Sequence, residues 1–159
     1  MAKKLTSTQN NVIDISLSSI RKKRFRIDGD DSRILELDTS DLGILSRLQE
    51  TYPKLQKLNE KAIEDWSKAD KADEQDYSAT VTLLTDIDTE MRKLIDYIFD
   101  SNVSEVCVPT GTMYDPINGQ FRFEYIISCL STLYETNISA ETKKLSERVQ
   151  KYTSKYTGK

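Results

Sequence analysis

The chain has 159 residues, 37% hydrophobic and 31% charged, with a net charge of −3 and no histidine. That size and apolar share suit one domain with a modest core, and no apolar run nears the ~18–20 residues that a bilayer crossing needs. The lack of histidine removes Ser-His and Cys-His nucleophile pairs and the commonest transition-metal ligand.

The chain opens Met1-Ala2-Lys3-Lys4-Leu5 and continues in Thr, Ser, Gln and Asn, with no apolar stretch to act as a signal peptide. A cytoplasmic protein is the expectation. Residues 1–11 read as a polar, flexible tail, residues 12–152 as a single domain and residues 153–159 as a second tail. Charge is unevenly spread: +4 over residues 1–33, −10 over 34–120 and +3 over 121–159. Such blocks favour contact between segments or between copies of the chain.

Val12 to Leu17 alternates at period two and reads as a first strand. The densest basic run, Arg21 to Arg26, could grip phosphate, but Phe25 is its sole aromatic and the chain is acidic overall. An exposed strand protected by Lys and Arg is the stronger reading, so no nucleic-acid partner is expected. Phe25 and Ile27 share one face, Asp28-Gly29-Asp30-Asp31 supplies a turn, and Ile34 to Leu37 alternates again. Asp-Gly between two such runs signals a hairpin, because a primed turn needs positive φ. A calcium loop fails, since the twelfth position from Asp28 is Thr39 where a bidentate Glu is needed.

Asp38-Thr39-Ser40-Asp41 offers helix caps. Leu45, Leu48, Tyr52 and Leu55 then recur at helical spacing, and Leu58, Ala62 and Trp66 continue the face with Ile63 beside it. Pro53 predicts a kink or a split. Residues 67–77 lose the apolar stripe and read as a polar connection or a solvated extension of the helix. The most regular stretch is 81–99, where Leu84, Ile87, Met91, Leu94 and Ile98 step by three and four, widened by Val81, Ile95 and Phe99. A stripe this wide predicts a core-facing helix, while its heptad spacing also permits a partner helix and hence a homo-oligomer.

Residues 101–119 look irregular, with Val106-Cys107-Val108 either a short strand or the end of a helical turn. Thr110-Gly111-Thr112 lacks the glycines and the Lys of a phosphate loop. Cys107 and Cys129 stand apart, each among apolar neighbours, and read as reduced core side chains rather than zinc ligands or nucleophiles. Phe123, Ile126, Ile127, Leu130, Leu133 and Tyr134 predict a helix, its first residues extended or helical. Ser139 is the expected cap of a final helix carrying Leu145, Val149, Tyr152 and Tyr156. The fold class is therefore α+β, mainly helical: an N-terminal antiparallel β-hairpin packed on a bundle of about four helices.

The order of pieces, "FRIDGDD", "RILELDTSD", "RLQETYPKLQKL" and "EMRKLIDYIFDSNVSEV", resembles the phage tail assembly chaperones of long-tailed phages of Gram-positive-type hosts, over roughly residues 20–136. One departure is Asp100, where related chains often place glycine after the aromatic. The resemblance implies a non-catalytic protein of the host cytoplasm. Its partners would be the tape-measure protein, which it keeps soluble, and the tail tube protein, which it helps recruit. No cofactor and no membrane contact are implied. Aromatics off the cleanest stripes, Tyr114, Phe121 and Phe123, are the candidate partner-binding residues. The helix of residues 81–99 is the other candidate face. A permanent minor virion component (tail completion, connector or minor tail protein) is the alternative, and a regulator of host proteins would look the same in sequence. An enzyme is the weakest reading, because the carboxylates lie in a turn or on solvated faces.

Overall fold

A computed structural model describes residues 12–17, 21–69 and 77–157. The fold is α+β and mainly helical, with a small antiparallel hairpin packed against helices. Strands β1 (Lys23–Ile27) and β2 (Asp30–Leu37) form the hairpin. Helices α1 (Gly43–Ala69) and α2 (Tyr77–Phe99) then pack on each other, followed by the short α3 (Val103–Cys107). A two-residue ladder, β3 (Pro116–Ile117) with β4 (Gln120–Phe121), leads into the long α4 (Arg122–Thr157). Expected flexible residues 1–11 lie outside the described residues, while residues 153–157 are helical.

The first hairpin forms for the expected reason. Asp28 and Gly29 both take positive φ, +53° and +71°, as a primed turn demands. Phe25 pairs with Leu35, and the pairing slips between Arg26 and Ile27 because residues 31–33 bulge. Asp30 drives that bulge by accepting both the amide and the hydroxyl of Ser32, which hold its carboxyl below the usual range. The basic run meets acids: Arg21 pairs with Asp38, Arg24 with Glu36 and Arg26 with Asp31. Val12–Leu17 is not a strand; it holds one isolated bridge at Ile13, and Val12, Ile13, Ile15 and Leu17 are exposed.

Helix α1 is one continuous element through Pro53, rather than split there. Its buried stripe is also rotated from the expected one. Leu45 and Tyr52 are exposed, and the inward face runs Ile44, Leu48, Thr51, Leu55, Leu58, Ala62 and Asp65. Thr51 can sit inside because its hydroxyl donates to the Arg47 carbonyl one turn back. Of the offered caps, Asp41 takes a helix N-terminal amide, that of Gly43 at 2.9 Å, and also pairs with Arg47 at 2.7 Å. Burial opposes its charge, but those two donors outweigh it and hold the carboxyl low. The side chain of Trp66 lies outside the described residues, as do residues 70–76 of the expected polar connection.

The expected stripe on α2 is the core: Ile87, Met91, Ile95, Ile98 and Phe99 are buried, with Leu84 and Leu94 half-buried and Val81 exposed. Leu35 and Leu37 of β2, Leu55 of α1, Val103, Met113, and Leu130 and Tyr134 of α4 are among the residues packed with it. The flank of α2 beside that stripe carries Asp88, Arg92 and Asp96, half-buried and spaced four apart on one row. That row folds the irregular segment onto the helix. Asp96 accepts the amide and hydroxyl of Ser104, and Asp88 accepts the Met113 amide. Arg92 donates to the carbonyls of Ser104, Val108 and Gly111 and to Asp88. Val106-Cys107 accordingly ends a helical turn, and Arg33 of β2 caps it by donating to both carbonyls at 2.9 Å.

Two further departures concern termini. Asp100 ends α2 with φ +46°, and the amides of Asp100 and Ser101 reach back to the carbonyls of Tyr97 and Asp96. That is a Schellman closure, in which aspartate stands in the left-handed position that favours glycine. Ser139 caps nothing: α4 runs unbroken for 36 residues, and 139–151 are exposed throughout. Serine in a helix interior is only mildly unfavourable, so it does not force a break.

Two stability outcomes follow. Asp100→Gly relieves the left-handed strain and removes a negative charge from a helix C-terminus, raising the unfolding free energy by about 0.5–1 kcal/mol in urea titrations. Arg92→Ala strands three carbonyls and Asp88, lowering it by roughly 2–3 kcal/mol. Arg92→Lys recovers less than half, because one ammonium cannot span the same acceptors.

Candidate functional site

The candidate site is a groove between α1 and the start of α4. Along α1 one face presents Leu48, Tyr52, Gln56, Asn59 and Ile63. The fifteen steps from Leu48 to Ile63, at ~1.5 Å rise each, make this wall about 22 Å long, roughly four helical turns. The opposite wall is Phe123, Glu124, Ile127 and Ser128 of α4, continued by Pro116, Gly119, Gln120 and Phe121. The groove has two recesses. One, of about 310 Å³, lies over Leu48, Tyr52, Leu55, Phe123 and Ile127. The other, of about 280 Å³, lies between Ile63, Pro116 and Phe121. Asn59 and Glu124 line both and divide them.

Local chemistry fixes the α4 wall. Asn118 and Gly119 take φ of +50° and +80°, which closes the β3–β4 turn. Glu124 then reaches back from the first turn of α4 to accept the Phe121 amide at 2.7 Å, one half of a capping box. The Tyr125 hydroxyl donates to the Ile117 carbonyl and ties the small hairpin to the helix. Arg122 is anchored by Thr110 and Asp115.

Of the three predicted site residues, the structure brings Phe121 and Phe123 together and sets Tyr114 apart. The two phenylalanines stack with centroids 6.1 Å apart, Phe123 in the first recess and Phe121 in the second. Tyr114 is a core residue, 3% exposed. The expected alternative face on 81–99 is core as well. Tyr52 (61% exposed) and Ile63 (52%) are groove residues that the sequence pattern does not single out. Their signal is present but ambiguous: Tyr52 sits on the expected buried stripe, and the stripe's rotation toward Thr51 turns it outward.

Two buried side-chain oxygens have no hydrogen-bond partner among the described residues, Asn59 Oδ1 and Asp65 Oδ2. Asp65 belongs to the buried stripe of α1, whereas Asn59 belongs to the groove. A second uncovered surface is the distal part of α4, where Leu145 and Val149 are 60% and 62% exposed. The side chains of Tyr152 and Tyr156, expected on the same face, lie outside the described residues.

The cysteines differ. Cys107 is half-buried and burial pushes its thiol up to about 11, whereas Cys129 is exposed on α4 rather than in the core. Residue 129 falls just off the inward stripe of 126, 127, 130 and 134, so its helical phase turns it outward. No group of three or more Cys, Asp and Glu among the described residues could hold a metal ion. No helix among them is long and apolar enough to cross a membrane.

Burial also pushes Tyr114 and Tyr134 up to about 12. Each of these three groups is favoured in its neutral form by folding. Their stabilisation is whole below the ordinary values of 9.0 for Cys and 10.0 for Tyr, and is lost as pH rises through 11 to 12. Urea midpoints should therefore fall steeply above pH 9, and Tyr134→Phe should flatten that fall. At neutral pH a thiol reagent should modify Cys129 and leave Cys107 untouched until unfolding.

No family model, curated protein or solved structure matches this chain.

Proposed function

We propose that this chain is a non-catalytic phage tail assembly chaperone that binds the tape-measure protein in the host cytoplasm, keeps it soluble and helps recruit tail tube subunits. The observation that carries this reading is the apolar groove, a helix-length trough with exposed Tyr52 and Ile63 on its rim and the Phe121–Phe123 pair in its wall. An amphipathic client helix lays its apolar face into such a trough and withdraws it from water. The resemblance of its motif order to that of tail assembly chaperones suggests the identity of the client.

Each copy covers only about four turns of a client, so its affinity is modest and a long client is held by many copies at once. That suits a factor that tube subunits must displace. The uncovered distal part of α4 gives neighbouring copies a surface on which to meet.

Co-expression with the tape-measure protein of the same phage tests the reading. The client should be soluble, and should co-purify with several copies of this chain, only when the chain is present. Tyr52→Glu combined with Ile63→Glu should abolish both effects without unfolding the protein, since both side chains are exposed. Client solubility that is indifferent to this chain overturns the proposal. Stoichiometric recovery of the chain in purified virions replaces it with a permanent tail component.

A further inference from the structure

The two recesses of the groove are apolar, but the ridge between them is not. Asn59 stands on α1 with a buried amide oxygen that no donor among the described residues satisfies. Glu124 stands opposite on α4, one carboxylate oxygen taken by the Phe121 amide and the other left with no donor among the described residues. A buried acceptor without a donor is destabilising, so native structures rarely keep one without a use. Glu124 thereby sets a negative charge at the middle of a largely apolar trough, beside the Asn59 amide, whose oxygen is sealed from solvent until the amide turns.

We infer that the groove selects an amphipathic helix carrying a basic side chain between two apolar anchors. This rests on the reading of the groove as a client site and specifies which client segments it takes. The recess lined by Tyr52 and Leu55 lies about eight to eleven residues along α1 from the one at Ile63, or roughly 12–16 Å. A docked helix spans that distance with anchors near i and i+8, about 12 Å apart, and residue i+4 falls on the same face midway between them. A Lys or Arg at i+4 meets Glu124 as its counter-charge. The Asn59 amide swings about its Cβ–Cγ bond and gives its oxygen to the same cation. An acidic residue at i+4 meets Glu124 in repulsion, and an aliphatic one leaves both acceptors unpaired.

Fluorescence anisotropy with the full chain and three labelled helical peptides tests this. The peptides are alike, with Leu at i and i+8, and carry Lys, Leu or Glu at i+4. The Lys peptide should bind saturably and roughly tenfold more tightly than the Leu peptide, with the Glu peptide weakest. Asn59→Leu should shrink or reverse the Lys-over-Leu preference while the Leu peptide still binds. Glu124→Gln, which keeps the capping geometry, should cut the Lys preference and its salt dependence. An unchanged order of the three peptides in both variants overturns the inference, as does a failure of any peptide to saturate. Tighter binding of a peptide of residues 139–157 of this chain also overturns it and assigns the groove to a second copy. In each of those outcomes co-expression still reports separately on whether the tape-measure protein is a client.

Discussion

The structure depends on the polar row Asp88, Arg92 and Asp96 on α2. Residues 101–115 bury Val103, Val108, Met113 and Tyr114, but apart from the short α3 their backbone groups have no regular helix or sheet partners. Their backbone groups instead end on this row: Ser104 on Asp96, Met113 on Asp88, and the carbonyls of Ser104, Val108 and Gly111 on Arg92. A guanidinium is suited to that task, because its fixed fork reaches several carbonyls at once. Arg47 and Arg33 repeat it at the ends of α2 and α3, donating to Ile98 and to Val106 and Cys107. Helix C-termini that would otherwise leave carbonyls unpaired are thus closed from neighbouring elements.

The groove is a consequence of that arrangement. With Met113 fixed on Asp88, the Phe123 amide donates to the Met113 carbonyl at 2.7 Å, and this sets where α4 begins. The helix then contributes Phe123, Leu130 and Tyr134 to the core and leaves Ile127 half-buried above α1. Along α1, Thr51 takes an inward position that an apolar residue would ordinarily hold, and Tyr52 is turned out beside the opening. The trough therefore lies where two helices meet at only part of their facing surfaces. Asn59 and Glu124 sit where its two recesses meet, so the trough is not a uniform apolar strip.

Much of the fold is legible in the order of residues alone. The hairpin at Asp28-Gly29 follows from turn chemistry, and the inward face of α2 follows from spacing. The α1 stripe is less legible and lies one position from where its apolar residues point, because Tyr52 and Leu45 look more buriable than Thr51. Only the hydroxyl's bond to the Arg47 carbonyl makes Thr51 acceptable inside. Ser139 and Pro53 look like helix punctuation, but each is a local preference, and the long helices override both. Phe121 and Phe123 stand out as aromatics off the clean stripes, yet the same rule picks out Tyr114, whose ring the core takes up.

The sequence by itself determined the first hairpin, the long helices and the inward face of α2, because hydrophobic periodicity and turn residues act over a few neighbours. It also determined that charge is segregated along the chain. Tertiary structure alone decided that a polar row on α2 would organise residues 101–115, that α4 would run past the body, and that α1 and α4 would leave a groove around Asn59. Those outcomes turn on which helix faces meet across long stretches of chain. A local pattern does not encode such a choice, since each face offers several partners and only the packed whole shows which it keeps.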